Sequence, residues 1–226
     1  MTQVTIFGGT GFIGRYLVDK LADLGVTIKV ATRHPQSAYF LRTAGSVGQV
    51  VPVICDIHSD VSVANAVAGS DWVVNLVGVL TEKGKNNFTR VHADFPARLA
   101  KAVVAANVSR FIQASALGAD KNATSHYARS KAQGEANIFT EFPNTTILRP
   151  SIVFGSEDGF FNRFARMASI APFLPLIGGG KTMFQPVYVG DVVAAIMACL
   201  TSNKDVQGNI FELAGPEQIS FKECMQ

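Results

Sequence analysis

The 226 residues predict an α/β fold with a doubly wound parallel sheet, and three observations carry that expectation. Short apolar and β-branched runs alternate with helical patterns along the first 150 residues. Each run is continuously apolar and not alternately apolar and polar, as a parallel strand covered by helices on both faces must be. The first run passes directly into glycines and then a helix, a sequence of elements that presents backbone N–H groups to an anion.

The opening strand is "VTIF" at 4–7, and the helical pattern "FIGRYLVDKLADLG" closes on Gly25. "TIKVAT" at 27–32 is the second strand, "VVPVICD" at 50–56 the third, and a helix is expected over 60–69. "WVVNLVG" at 72–78 is the fourth strand, a helix follows over 93–106, and "RFIQASA" at 110–116 is the fifth. A helix starting near 126 leads to "TTILRP" at 145–150, the sixth. Right-handed crossovers wind such units into a Rossmann-type sheet. After Pro150 the rhythm breaks into Pro and Gly punctuation with one helix expected at 159–169, then "VVAAIMACL", "NIFELAG" and "SFKECMQ". The chain stops in what reads as an uncapped helix start. The expected organisation is a dinucleotide-binding domain over 1–150, and over 151–226 a small substrate-side lobe with returning elements, truncated at its C-terminus.

Composition narrows the function. With 48% hydrophobic and 16% charged residues the chain is globular, and its +3 charge is scattered without basic blocks, so no nucleic-acid partner is expected. A mean hydropathy of +0.23 fits a large buried sheet. Cys55, Cys199 and Cys224 lie far apart without ligand spacing, which points to neither a disulfide framework nor a metal site and fits a reducing, cytoplasmic setting. No signal peptide and no spanning apolar run is read.

"GGTGFIG" sets Gly8, Gly11 and Gly14 at GxxGxxG spacing between strand and helix. Gly8 serves the turn, Gly11 lets backbone approach a pyrophosphate, and Gly14 lets the helix pack closely on the strand. An NAD site usually shows a carboxylate at the end of the second strand, for the ribose 2′-hydroxyl. Here that segment reads "ATRHP". Arg33 is positioned for a 2′-phosphate, with Thr32 and His34 as further contacts, so NADP(H) is preferred and NAD(H) stays open. Asp56, with Ile57 beside it, ends the third strand near the expected adenine, and Asn75 to Gly78 end the fourth along the cofactor path. "GGGKT" at 178–182 is a decoy, since a phosphate loop needs glycine where Pro175 stands.

Ser125 or Thr124 can cap the helix that carries Tyr127 and Lys131 one turn apart, facing the carboxyl edge of the sheet. Lys131 can hold ribose hydroxyls and favour the Tyr127 phenolate, and Tyr127 can exchange a proton with a substrate oxygen.

"TIFGGTGFIG", "ATRHP", "VVNLVGVL", "YARSKAQGE", "LRPSIVFG" and "FQPVYVGDVV", in this order over nearly the whole chain, resemble the extended and atypical short-chain dehydrogenase/reductases, an NAD-dependent epimerase/dehydratase-like group. "ATRHP", "YARSKAQGE" and "LRPSIVFG" look like the branch of the nucleotide-binding complex I alpha-subcomplex subunit nine and its bacterial relatives. The resemblance implies cofactor contacts at Gly8, Thr10, Gly11, Phe12, Ile13, Arg33, Asp56, Leu76, Val77, Tyr127, Lys131 and from Pro150 through Ile152 to Val153. It also implies an NADP(H) that is structural, complex I subunits as partners, and a peripheral place on the inner face of the respiratory membrane. An active NADP-dependent reductase, epimerase or dehydratase on a small carbonyl or sugar nucleotide is the alternative. The chain departs from active relatives at "QASALGAD", where Ser115 is the remaining hydroxyl for a catalytic role, and at His92, where asparagine is usual. Arg163 and Arg166 read as a solvated helix face, Asp191 as a helix cap, His58 and His126 as unpartnered, and "IAPFLPLIG" as lobe packing.

Overall fold

The computed structural model describes residues 2–170, 177–202 and 205–224. β1 (Gln3–Phe7) lies between β2 (Thr27–Thr32) and β4 (Trp72–Asn75), and every pairing in the main sheet is parallel. β3 (Val50–Ile54), β5 (Arg110–Ala114), β6 (Thr146–Pro150) and β10 (Ile210–Leu213) complete the seven strands in the order β10-β6-β5-β4-β1-β2-β3. The chain reverses its direction of progress between β1 and β4, so a crevice opens at their carboxyl ends, beyond the paired Phe7 and Asn75. The doubly wound expectation holds.

Two cores cover the sheet. On one face Ile6, Ile28 and Val74 pack against α1 (Phe12–Asp23) and α6 (Val189–Thr201) through Leu17, Leu21 and Ile196. On the other, Phe7, Val73 and Phe111 pack against α2 (Asp60–Val67), α3 (Phe95–Ala105) and α4 (His126–Glu141) through Val63, Leu99 and Ile138. Each such fully buried side chain stabilises the fold by about 1.5–3 kcal/mol relative to exposure. Both strand faces are therefore apolar, which is why the strands read as unbroken runs.

The remaining elements are short. β7 (Val153–Phe154) pairs with β9 (Val187–Tyr188), and β8 (Met183–Phe184) with β11 (Ile219–Ser220), while α5 (Phe161–Ala168) and α7 (Phe221–Cys224) sit among them. α5 begins at residue 161 because the buried Asp158 carboxylate accepts from the N–H groups of Phe160, Phe161 and Asn162 at 2.9, 2.6 and 3.3 Å.

Several expectations need correction. β3, β4 and β5 end at Ile54, Asn75 and Ala114, two or three residues before their apolar runs do, because the residues beyond leave the ladder for loops over the carboxyl edge. The helix expected from 93 starts at Thr89 with a π-helical turn, Thr89–Asp94. A 3₁₀ stretch, Pro35–Ala44, fills the interval after Arg33. Asp191 lies inside the first turn of α6 and not at its cap, which is Tyr188. "GGGKT" forms a 3₁₀ turn at Ile177–Gly180 leading to a strand, so the decoy reading stands. His58 and His126 do have neighbours: His58 Nε2 lies 3.3 Å from Asn86 Oδ1, and His126 Nδ1 lies 4.0 Å from Glu82. Most of "IAPFLPLIG" falls outside the described residues.

Candidate functional site: a dinucleotide groove joined to an apolar cavity

The groove is built on backbone. Gly8 has φ +81, a left-handed conformation, and a Cβ there would come within 2.9 Å of the Leu76 carbonyl carbon. A Cβ on Gly14 would lie 2.6 Å from Gly9 Cα and closer still to Gly8 O, so α1 can approach the loop only because position 14 has no side chain. The α1 N-terminus carries no acidic residue in its first turn and Gly11 offers no side-chain cap, which leaves its N–H groups and positive dipole end open to an anion.

Gly8, Thr10, Gly11, Thr32, Arg33 and Ile57 line one side of a groove of about 300 Å³, and Leu76, Val77 and Gly78 line the other. Asn75, fully buried, shapes that second wall: its Oδ1 accepts from Val77 N at 3.0 Å while its amide donates to Gln113. Among the described residues the Arg33 guanidinium makes no hydrogen bond or ion pair, and no carboxylate lines the groove. This donor set fits a dinucleotide: glycine backbone and a helix end for the pyrophosphate, and an arginine fork at the end of β2 for a ribose phosphate.

Other sequence candidates lie elsewhere. The exposed Asp56 carboxylate accepts from His58 N at 3.0 Å and is not part of the groove wall. His34 is exposed and gives its N–H to Thr32 Oγ1 at 3.3 Å. Ile13 packs its side chain against the core, leaving its backbone to face an anion. Phe12, Pro150, Ile152 and Val153 line a second, larger cavity of about 1000 Å³, which also reaches Tyr127.

α4 brings Tyr127 and Lys131 to this junction. Ser125 caps the helix by accepting from Ala128 N, as expected. Lys131 is buried, with Nζ 3.5 Å from Ala114 O, and a Cβ at Gly78 would lie 3.5 Å from the same nitrogen, which puts the ammonium beside the groove wall. Burial pushes the Lys131 pKa down to about 8, against the nearby Glu135 carboxylate, which raises it. Burial also raises the Tyr127 hydroxyl above its ordinary value. The expected phenolate is therefore not favoured here, and Lys131 Nζ stands 5.8 Å from the tyrosine ring centroid.

Ser115 does not serve Tyr127. Its hydroxyl donates to Glu135 Oε1, and Glu135 in turn pairs with Arg149 at 2.6 and 2.9 Å. A hydroxyl has one proton to give, so Ser115 has none left for a substrate oxygen. His92, in contrast, is central. The π-helical turn aims it inward, where Nε2 accepts from Val79 N at 3.1 Å and Nδ1 lies 3.0 Å from Ser130 Oγ. Accepting at Nε2 assigns the ring proton to Nδ1, which donates to Ser130, whose hydroxyl donates to Tyr127 O at 2.7 Å. Burial first, then Lys131 and His126, lower the His92 pKa to about 3, so the ring is neutral. Phe88 stacks on it at 5.4 Å and Tyr127 meets it edge-on at 5.2 Å. The substitution of His for the usual Asn signalled this position, but not the bonds it makes.

Chemically, the site can hold a nicotinamide ribose near Lys131 and present the Tyr127 hydroxyl to a molecule in the large cavity. A bound nicotinamide supplies hydride chemistry, while Tyr127 is the group that can give or take the accompanying proton. Among the described residues no cluster of His, Cys, Asp or Glu is arranged to hold a metal, and no helix is long and apolar enough to cross a membrane.

Comparison with known proteins agrees with this fold. The chain is similar to the mitochondrial NADH dehydrogenase [ubiquinone] 1 alpha subcomplex subunit 9 of Arabidopsis thaliana, 39% identical over 98% of the chain and 56% of that protein. It is similar to the same-named subunit of Rattus norvegicus, 39% identical over 95% of the chain and 57% of that protein. The chain thus spans little more than half the length of these relatives. Among solved structures, the dTDP-glucose 4,6-dehydratase DesIV from Streptomyces venezuelae, with NAD bound, superposes with a TM-score of 0.80 at 19% identity, covering 98% of this chain and 78% of that one, a likeness of fold. The profile of the NAD dependent epimerase/dehydratase family matches residues 4–214, and the chain belongs to that family.

Proposed function

We propose that the chain binds NADP(H) in the groove as a structural cofactor and acts as an accessory or assembly subunit of respiratory complex I. In this reading residues 1–150 hold the cofactor, and 151–226 supply the lobe beside it together with α6 and β10, which return to the main sheet. The partners are complex I subunits, and the setting is peripheral, at the inner face of the respiratory membrane. The similarity to alpha subcomplex subunit 9 proteins over nearly the whole chain supports the complex I reading. The observation that carries the structural role of the cofactor is Ser115, whose proton is given to Glu135 and is therefore not offered to a substrate oxygen beside Tyr127. Arg33, which makes no hydrogen bond or ion pair among the described residues and stands at the end of β2 where no described carboxylate lines the groove, supports NADP(H) over NAD(H). A ligand at 100 times its dissociation constant adds about 2.7 kcal/mol of stability.

The second reading, an active reductase, is favoured by the survival of Tyr127 and Lys131 at the meeting point of groove and cavity. Purified chain carrying its nucleotide separates the two in a single-turnover assay. NADPH that stays bound and unoxidised across a panel of carbonyl compounds supports the structural role, and rapid oxidation that Tyr127→Phe abolishes overturns it. For cofactor choice, Arg33→Ala is expected to weaken NADPH by about 10-fold or more, the worth of a charge-assisted hydrogen bond, and NADH far less; equal weakening in titrations refutes the 2′-phosphate role.

A further inference from the structure

We propose that the large cavity beside Tyr127 takes a lipid-like molecule, a long alkyl or isoprenoid chain ending in a hydroxyl or carbonyl, and does not take a sugar nucleotide. The inference deepens the cofactor reading and rests on it at one point, that the nicotinamide end of the groove reaches Tyr127.

The walls carry the argument. Phe160, Phe164 and Phe184 form one aromatic surface, with Phe160 at 5.3 Å from Phe164 and 5.8 Å from Phe184 in edge-to-face contacts. Met167 and Met183 extend it with flexible, polarizable side chains that adapt to a chain of variable shape. Large apolar side chains on the same wall are left open to water: Leu80 is 84% exposed, Met183 55% and Leu117 40%. Three such residues around one concavity of about 1000 Å³ describe a surface that an apolar ligand would cover. α5, which supplies Phe164 and Met167, has no fully buried residue, and its apolar side is held over the cavity by the Asp158 cap and by ring contacts of Phe164 with Phe221 and of Phe161 with Phe154.

Charge argues the same way. Arg163 is the single charged residue on the cavity wall among the described residues. A nucleoside diphosphate carries its charge on two phosphates and is held by several cations or backbone donors, with further donors and acceptors matched to the base. Tyr127, Ser151, Gln185 and Gln218 are the polar remainder, enough to orient one small polar group at an end of a hydrophobic molecule.

The test is calorimetric titration of the chain with octanol, decanol and dodecanol, with and without NADPH. Each added methylene that enters the cavity is expected to tighten binding about fourfold. Met167→Lys, on a partly exposed position, and Phe164→Ala are each expected to weaken dodecanol by at least about tenfold while NADPH affinity stays unchanged. UDP-glucose is expected not to displace the alcohol. An affinity that is flat with chain length, displacement by UDP-glucose, or loss of alcohol binding through self-association of the chain overturns the proposal. Failure of NADPH to bind, with the alcohol series still steep, would fall on the cofactor reading alone.

Discussion

The dinucleotide groove and the apolar cavity adjoin, yet they are made of different material. The groove is walled by backbone: a glycine turn, a helix end and the loop after β4 that Asn75 holds. The cavity is walled by side chains on short elements, with α5 started by an aspartate cap and none of its residues fully buried. A backbone site cannot adjust to a new side chain, whereas a wall of phenylalanine and methionine can be repacked. The difference teaches that substitutions on the two sides should differ in cost, and that the cofactor is fixed by the fold while the cavity's ligand is set by composition.

The sharpest way to break this contrast is Gly14→Ala. The new methyl group meets Gly8 O and Gly9 Cα, so nucleotide affinity should fall by about 100-fold with a loss of stability of about 1–3 kcal/mol, the cost of overpacking. Binding within threefold of the parent protein would remove the backbone argument.

The buried His92 comes next. His92 is neutral when folded, with a pKa near 3 against 6.5 when exposed, so the folded state binds fewer protons than the unfolded state between those values. Stability should therefore fall as pH drops from 6.5 towards 3, by up to about 1.4 kcal/mol per pH unit for this one group. His92→Asn should flatten that part of the denaturation profile, and an unchanged slope would mean the ring does not carry it.

Ser115→Ala should be milder, costing about 1 kcal/mol for a lost hydrogen bond to Glu135 and leaving any turnover unchanged. A large fall in rate would restore Ser115 to the chemistry. Smallest of all, Met183→Leu on the cavity wall should shift stability by less than about 0.5 kcal/mol, since the site is half exposed and the swap conserves volume. A larger loss in thermal melting would show the cavity to be as rigid as the groove.

What the sequence revealed follows the same division. The strands and the glycine turn were legible because local pattern sets backbone conformation, and β1 through β6 stand where their runs stand. The overlong ends of those runs misled for a physical reason: Leu76 and Val77 are apolar because they wall the groove, not because they pair in a ladder. Ser115 and His92 could be placed near the site from sequence, but their bonding partners are 20 and 38 residues away, and only folding selects Glu135 and Ser130. Asp158 capped a helix that has no cap residue directly before it, and the π-helical turn left no period to read.

The bond from the Val79 amide to a histidine ring has a spectroscopic consequence. Most amides at this depth exchange with solvent at rates set by backbone opening, but this one is held by an imidazole whose position depends on Ser130 and the stacked Phe88. Its chemical shift and deuterium uptake thus register the orientation of one aromatic ring. A single resonance can report when the groove fills, when the cavity fills, and whether either event disturbs the other.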